Sequence, residues 1–195
     1  LVSSAVKKPL SQYLEEKIWR PAGMEARATW LLGKTGHEIA GCCLQAATRD
    51  FARMGLFVLA NGNAGGQQIV PESWFAAAIH KQKDIGEPGK GYGYQWWLPE
   101  GDLGDYSAIG VYNQFVHVFP ALGTVIVKLS ANPAYGMSKD ESTNRDLENI
   151  AALRAIARAA LGQPRLCPAL LPGVTLDRLA DAIPAETKQP PHVEA

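Results

Sequence analysis

Little in this sequence points toward a membrane, a metal or a nucleic acid. No apolar run in the 195 residues reaches the roughly 20 needed to span a bilayer. The longest, around Val125 to Leu129, is strand-sized and carries Lys128. Neither sign of charge is in excess: 19 basic residues face 19 acidic ones. With no polybasic run and no basic aromatic stripe, nucleic acid is not an expected partner. The four histidines, His37, His80, His117 and His192, are scattered without metal-ligand spacing, and no Cys-x-x-Cys occurs. No metal and no cofactor is therefore expected. The chain begins at Leu1 with no basic segment leading into an apolar one, so its start reads as a truncation point. Cysteine is scarce. Cys42 and Cys43 are adjacent and Cys167 is distant. Neighbouring cysteines seldom bridge each other, so buried free thiols are expected. That leans toward a reducing, cytoplasmic compartment and leaves a periplasmic one open.

What is present is a hydrophobic fraction of 47%, enough to pack one domain. Ser11 to Trp19 reads as an amphipathic helix, with Leu10, Leu14 and Ile18 at four-residue steps, Pro9 in its first turn, and Pro21 and Gly23 ending it. Ala28 to Gly41 is turn-rich. A second helix follows, with Thr48 as N-cap and Asp50 placed to favour the helix dipole. It buries Phe51, Met54, Gly55 and Val58 and stops at Asn61-Gly62. Gly65-Gly66 turns into a strand over Gln67 to Val70. Pro71-Glu72 opens a third helix running to Lys81, and Asp84 to Gly91 is a polar loop. Tyr92 to Leu98 is predicted to be a strand. Ala108 to Phe119 and Thr124 to Ser130 are predicted to form an antiparallel hairpin around Pro120-Ala121-Leu122-Gly123. Phe115, His117 and Phe119 share one face of the first arm and Val116 and Val118 the other, so that arm should be covered on both sides. Asn144 to Leu161 is a final helix capped by Gly162. From residue 163 the chain is a proline-rich tail, giving a domain over 1–162 and a tail over 163–195.

Several short patterns imitate chemistry. Ser4-Ala5-Val6-Lys7 matches Ser-x-x-Lys, in which a lysine one helical turn from a serine activates its hydroxyl. With only two fixed positions, running into Lys8-Pro9, it reads as a solvated helix end. Lys34-Thr35-Gly36 matches another serine-hydrolase motif but sits in a polar turn. His117, mid-strand, is a satisfied sheet histidine rather than a base. Asp102 and Asp105 suggest a loop that does not complete a calcium motif. The informative segment is Ile109-Gly110-Val111-Tyr112-Asn113-Gln114-Phe115. Glycine in a buried strand is costly unless something must approach the main chain, and Asn113 and Gln114 in apolar surroundings need partners. Both features fit a strand edge lining a substrate cleft. A bulge that simply ends the pairing fits them equally.

A resemblance joins these pieces. Lys8-Pro9-Leu10-Ser11-Gln12-Tyr13-Leu14, the stretch from Trp19 to Glu25, Ala47 to Gly55, Gly65 to Pro71 with Trp74, Tyr92 to Trp97, Gly110 to Gln114, and Val125 to Ser130 follow one another in sequence. Together they are similar to the 6-aminohexanoate-dimer hydrolases and related esterases of the class C β-lactamase type, over roughly residues 1 to 162. The resemblance implies an α+β fold of β-lactamase/transpeptidase-like kind, an antiparallel sheet flanked by helices, of which this is the C-terminal portion only. It implies a serine hydrolase acting on amides, esters or β-lactams through an acyl-enzyme. The Ser-x-x-Lys and Tyr-x-Asn elements would then precede Leu1, in a missing N-terminal part of the same domain, and Ser4 to Lys7 would be a decoy. It also implies that the Val111 main-chain amide is the second oxyanion donor, with Gly110 permitting close approach and Tyr112, Asn113 and Gln114 contacting substrate. A non-catalytic fragment serving as a binding or structural module is the alternative.

Overall fold

The structure, a computed structural model, describes residues 1–82, 90–138 and 141–161. The tail over 163–195, Gly162, Cys167, His192 and most of the loop over 84–91 lie outside the described residues.

The chain opens with two short helices, α1 (Val2–Val6) and α2 (Leu10–Leu14). The second runs directly into a π-helical turn over Glu15–Trp19. The expected helix over 11–19 is therefore real, with Pro9 just before it. A small hairpin follows, β1 (Thr29–Trp30) with β2 (Leu44–Gln45), and Leu32 bridges Glu38 within it. Helix α3 (Thr48–Leu59) comes next, and β3 (Asn63–Ala64) pairs with β4 (Gln67–Gln68). The hairpin between them turns on Gly65 and Gly66, whose φ of 58° and 81° few other residues adopt readily. Helix α4 (Glu72–Ala78) ends before Lys81.

The main sheet is an antiparallel meander in the order β5 (Lys90–Tyr92), β6 (Trp97–Pro99), β7 (Tyr106–Gly110), β8 (Gln114–Phe119) and β9 (Thr124–Lys128). Helices α5 (Glu141–Asn144) and α6 (Asp146–Ala160) close the described chain. Strand β8 carries apolar side chains on both faces, as its alternation predicts. Phe115 and Phe119 pack with Ile150, Leu153 and Ala157 of α6. Val118 packs on the opposite side with Phe57 and Val58 of α3. Each such side chain contributes about 1.5–3 kcal/mol on burial, so the two layers hold β8 from both sides. Gly55 lets α3 lie close to the sheet: a β-carbon there would stand 2.4 Å from Val125 Cγ1 and 3.0 Å from Val116 Cγ1. Among the described residues, no helix is long and apolar enough to cross a membrane.

Five expectations need correction. The arm over 108–119 is two strands, because the chain reverses at Val111 to Asn113, where Tyr112 and Asn113 take φ of 70° and 65°. The expected hairpin around Pro120 to Gly123 stands, as β8 with β9, and the split adds a second hairpin before it. The strand over 92–98 is likewise a hairpin, turning near Gln95 at φ 68°. The final helix begins at Asp146, interrupted from α5 by Arg145 at φ 56°. Thr48 is the first helical residue and not the cap. Asp50 does more than face a dipole: it is fully buried and accepts from the Glu25 and Ala26 main-chain N–H groups. Cys42 and Cys43 are joined in a disulfide, in a turn where Cys43 adopts φ 74°. The expectation of free thiols assumed an ordinary chain conformation, which this turn does not have. Cys42 is also exposed, so the lean toward a reducing compartment loses its ground.

Candidate active site

The residues singled out by sequence sit together on the turn between β7 and β8. Gly110 ends β7 and is exposed. Nothing in the packing demands a glycine there, because a β-carbon would meet only Gln114, at 3.4 Å from its Cβ. Val111 and Tyr112 are 58% and 49% exposed, while Asn113 is 3% exposed. Among the described residues, no main-chain carbonyl accepts from the Val111 N–H. The turn thus presents an unused amide, an aromatic ring and a bare glycine to solvent.

Beneath it lies a polar cluster that sequence reasoning did not find. Asn113 Nδ2 donates to the Asn144 carbonyl and to Asp146 Oδ1 at 3.2 Å, and Asn113 Oδ1 accepts from Asn132 Nδ2 at 2.7 Å. The Asn113 carbonyl accepts from Lys128 Nζ at 3.0 Å, and the Tyr112 carbonyl from the Asn132 N–H at 3.3 Å. Lys90, nearly buried, pairs with Asp146 Oδ2 at 3.2 Å and lies over the Trp97 ring. Burial pulls the Lys128 ammonium below its usual range, opposed by the Asp146 carboxylate. Asn113 is therefore not presented to a cleft as the sequence reading expected: its side chain is spent inside the protein. Gln114, half-buried at the start of β8, stays beside the turn. The signal for the cluster was the unpartnered polarity of Asn113. Its partners lie 15 to 33 residues away and no local pattern names them.

The remaining candidates separate from this site. His117 is fully buried, its Nε2 2.6 Å from Asp105 Oδ2, and Arg154 donates to both Asp105 oxygens at 2.9 and 2.8 Å. Burial alone would raise Asp105, but the hydrogen bonds from His117 and Arg154 outweigh it and hold the carboxyl below its ordinary range. His117 Nδ1 has no hydrogen-bond partner among the described residues, so the histidine is only half satisfied. Ser107 stands opposite His117 in the β7–β8 register, which assembles Ser, His and Asp in one place. Yet Ser107 is fully buried and, among the described residues, its hydroxyl makes only long contacts, 3.4 Å, to the Ala108 and Val116 carbonyls. All three are buried, and Arg154 of α6 is joined to them through Asp105. Asp102 pairs with Arg158 at 3.2 Å. Among the described residues, no group of side chains could hold a metal ion. Ser4 lies on α1 while Lys7 has left the helix at φ 57°, both exposed, and Lys34 to Gly36 form the expected turn. A cleft of about 480 Å3 is lined by Glu15, Trp19, Glu25, Arg27, Trp30 and Leu44 among others. None of Gly110 to Gln114 lines it.

No family model matches the chain. It is 31% identical over 129 residues to the 6-aminohexanoate-dimer hydrolase of Paenarthrobacter ureafaciens, a match covering 62% of this chain and 33% of that protein. A Bacillus anthracis structure assigned as a 6-aminohexanoate-dimer hydrolase superposes with a TM-score of 0.70 at 29% identity, over 84% of this chain and 42% of that one. A Bacteroides dorei structure assigned as a β-lactamase has a TM-score of 0.54 at 17% identity, over 77% and 53% of the two chains. EstCE1, a hydrolase with promiscuous acyltransferase activity, has a TM-score of 0.52 at 14% identity, over 67% and 48%. These last two likenesses speak to the fold alone. The chain thus spans about a third of the length of the curated relative it matches and about two fifths to one half of the solved ones.

Proposed function

We propose that this chain, a C-terminal part of a 6-aminohexanoate-dimer hydrolase or β-lactamase-like hydrolase, supplies the second oxyanion donor of a serine hydrolase that cleaves amide, ester or β-lactam bonds. The nucleophile, its lysine base and the first oxyanion donor are carried outside these residues, in the N-terminal part of the same domain. The substrate is a small amide or ester. When the serine attacks its carbonyl carbon, negative charge moves to the carbonyl oxygen. The Val111 N–H, fixed beforehand, donates to that oxygen, and the same contact serves the breakdown of the acyl-enzyme by water. Tyr112 and Gln114 form the wall that the acyl group rests against.

The observation that carries the reading is Gly110. Its φ is ordinary for any residue and its β-carbon has room, so the fold itself gives no reason for glycine. A reason exists if a substrate must pass within contact distance of the main chain beside Val111. That no main-chain carbonyl among the described residues accepts from the Val111 N–H supports the same reading.

The test is a fluorophosphonate that labels activated serines, with ester, amide and β-lactam reporters. The chain alone is expected to turn over none of them and to leave Ser4 unlabelled. The enzyme that joins this chain to its N-terminal part is expected to be labelled once, outside the chain, and to turn over at least one reporter class. Stoichiometric labelling of Ser4 that Lys7→Ala abolishes would move the nucleophile into the chain and overturn the assignment. A joined protein that is folded, unlabelled and inactive would leave the non-catalytic module as the answer.

A further inference from the structure

The turn that carries Val111 is conformationally expensive. Tyr112 and Asn113 stand in succession at φ 70° and 65°. Asparagine visits this left-handed region with some ease, but a tyrosine there is unusual. Residues held in such regions cost of order 1–3 kcal/mol each and persist only where the surroundings over-determine them.

Here they are over-determined from below. The Tyr112 carbonyl is held by the Asn132 N–H and the Asn113 carbonyl by Lys128. Both ends of the Asn113 amide are fixed, Nδ2 by the Asn144 carbonyl and Asp146, Oδ1 by Asn132. Asn132 is itself held, donating to the Thr143 carbonyl at 2.8 Å and accepting from the Ala134 N–H at 3.0 Å. The bonds to the turn itself all end on Tyr112 or Asn113, and none on Val111, while Asn132 is braced by Thr143 and Ala134.

We infer that Asn113 and Asn132 are positioning residues: they clamp the β7–β8 turn in its left-handed form so that the Val111 N–H stays free and aimed at the substrate carbonyl. The inference rests on the oxyanion role proposed above and adds to it. Asn113 touches no substrate, and its side chain acts through the conformation of the main chain two residues before it. An amide that must stabilise charge in a transition state gains from being fixed in advance, because misplacement by about 1 Å can cost a hundredfold in rate.

The experiment uses the joined, active enzyme with Asn113→Ala, Asn113→Gly, Asn132→Ala and, as an independent arm, Gly110→Val. Rates are expressed per active site titrated with fluorophosphonate, so that loss of folded protein does not count as loss of rate. Hydrogen–deuterium exchange of residues 111–113 is measured on the same samples. Asn113→Ala, which removes the clamp and disfavours the left-handed region, is expected to lower kcat by about ten- to a hundredfold, to leave KM within about twofold, and to speed exchange in the turn. Asn113→Gly restores the φ without the clamp and is expected to recover kcat to within about threefold of wild type. Should Asn113→Ala fail to fold, Asn132→Ala carries the same expectation for kcat and exchange. Equal losses in the alanine and glycine variants with a raised KM would mean that Asn113 meets the substrate, and would overturn the inference. So would unchanged kcat in the alanine variants while exchange rises and Gly110→Val still slows turnover. If Gly110→Val is also without effect, the oxyanion role falls first and the clamp with it.

Discussion

Gly110→Val separates the needs of the fold from those of catalysis. Gly110 has an unexceptional main chain and a β-carbon there meets nothing closer than 3.4 Å. Valine is also the better strand residue, by up to about 1 kcal/mol. Stability should therefore hold or improve, with Tm unchanged or raised by up to about 4 °C. Catalysis should move the other way. The added methyl groups would stand beside the Val111 N–H and keep the substrate carbonyl from it. Loss of one such donor costs about 2.7–4 kcal/mol of transition-state stabilisation, or roughly a hundred- to a thousandfold in kcat/KM. Val111→Pro reaches the same end by deleting the N–H. No main-chain carbonyl among the described residues uses that N–H, so its removal breaks no such bond. The assay is steady-state hydrolysis by the joined enzyme, normalised to titrated sites, with a thermal melt of each variant. The reasoning fails if both variants melt like wild type and retain kcat/KM within about threefold. The turn would then be an ordinary hairpin end.

Tyr112→Ala should shift the preference among acyl chain lengths more than it lowers the best rate, since it removes wall and leaves the donor; a uniform loss across a homologous ester series would contradict this. Gly55→Ala should destabilise despite alanine's helix preference, because the new methyl meets Val125 at 2.4 Å; about 1–3 kcal/mol in denaturant titration is expected, with recovery on adding Val125→Ala. Asp105→Asn should cost about 3 kcal/mol or more by leaving Arg154 and His117 facing a lost carboxylate. Because the folded Asp105 carboxyl lies below its ordinary range, its contribution is present above about pH 4 and is lost as pH falls through the folded value. Wild-type melts in acid should show this loss and Asp105→Asn melts should lack it. Maleimide labelling of the folded chain should miss Cys42 and Cys43 until a reductant opens their disulfide.

What was legible in the sequence is what depends on near neighbours. The alternation through Phe115 to Phe119 names a strand buried on both faces, and α3 and α6 cover those faces. Gly65-Gly66 names its turn because two consecutive glycines leave few alternatives. The split of the 108–119 arm was not legible for the opposite reason: Val111 and Tyr112 are strong strand residues, and local propensity runs straight through them. What holds the reversed chain is a set of hydrogen bonds, donated to it by Lys128 and Asn132 and accepted from Asn113 by the Asn144 carbonyl and Asp146, each set by the fold of a later segment. The disulfide is a similar case, since it sits in a turn where Cys43 is left-handed, a conformation the Cys-Cys pair alone does not announce. Gly110, Asn113 and Gln114 stand out in the sequence because they violate strand rules, whereas Val111 obeys them and is singled out only by the resemblance. A polar residue inside an apolar run is ambiguous between a group that faces substrate and one that holds the main chain for a neighbour. At 3% exposure with both ends of its amide engaged, Asn113 has the surroundings expected of the second kind. Val111, two residues earlier, is apolar and 58% exposed, and no main-chain carbonyl among the described residues accepts from its N–H, which is why its amide is the proposed donor. Where the working group is a peptide N–H, sequence marks the residues that shape its surroundings and not the donor itself.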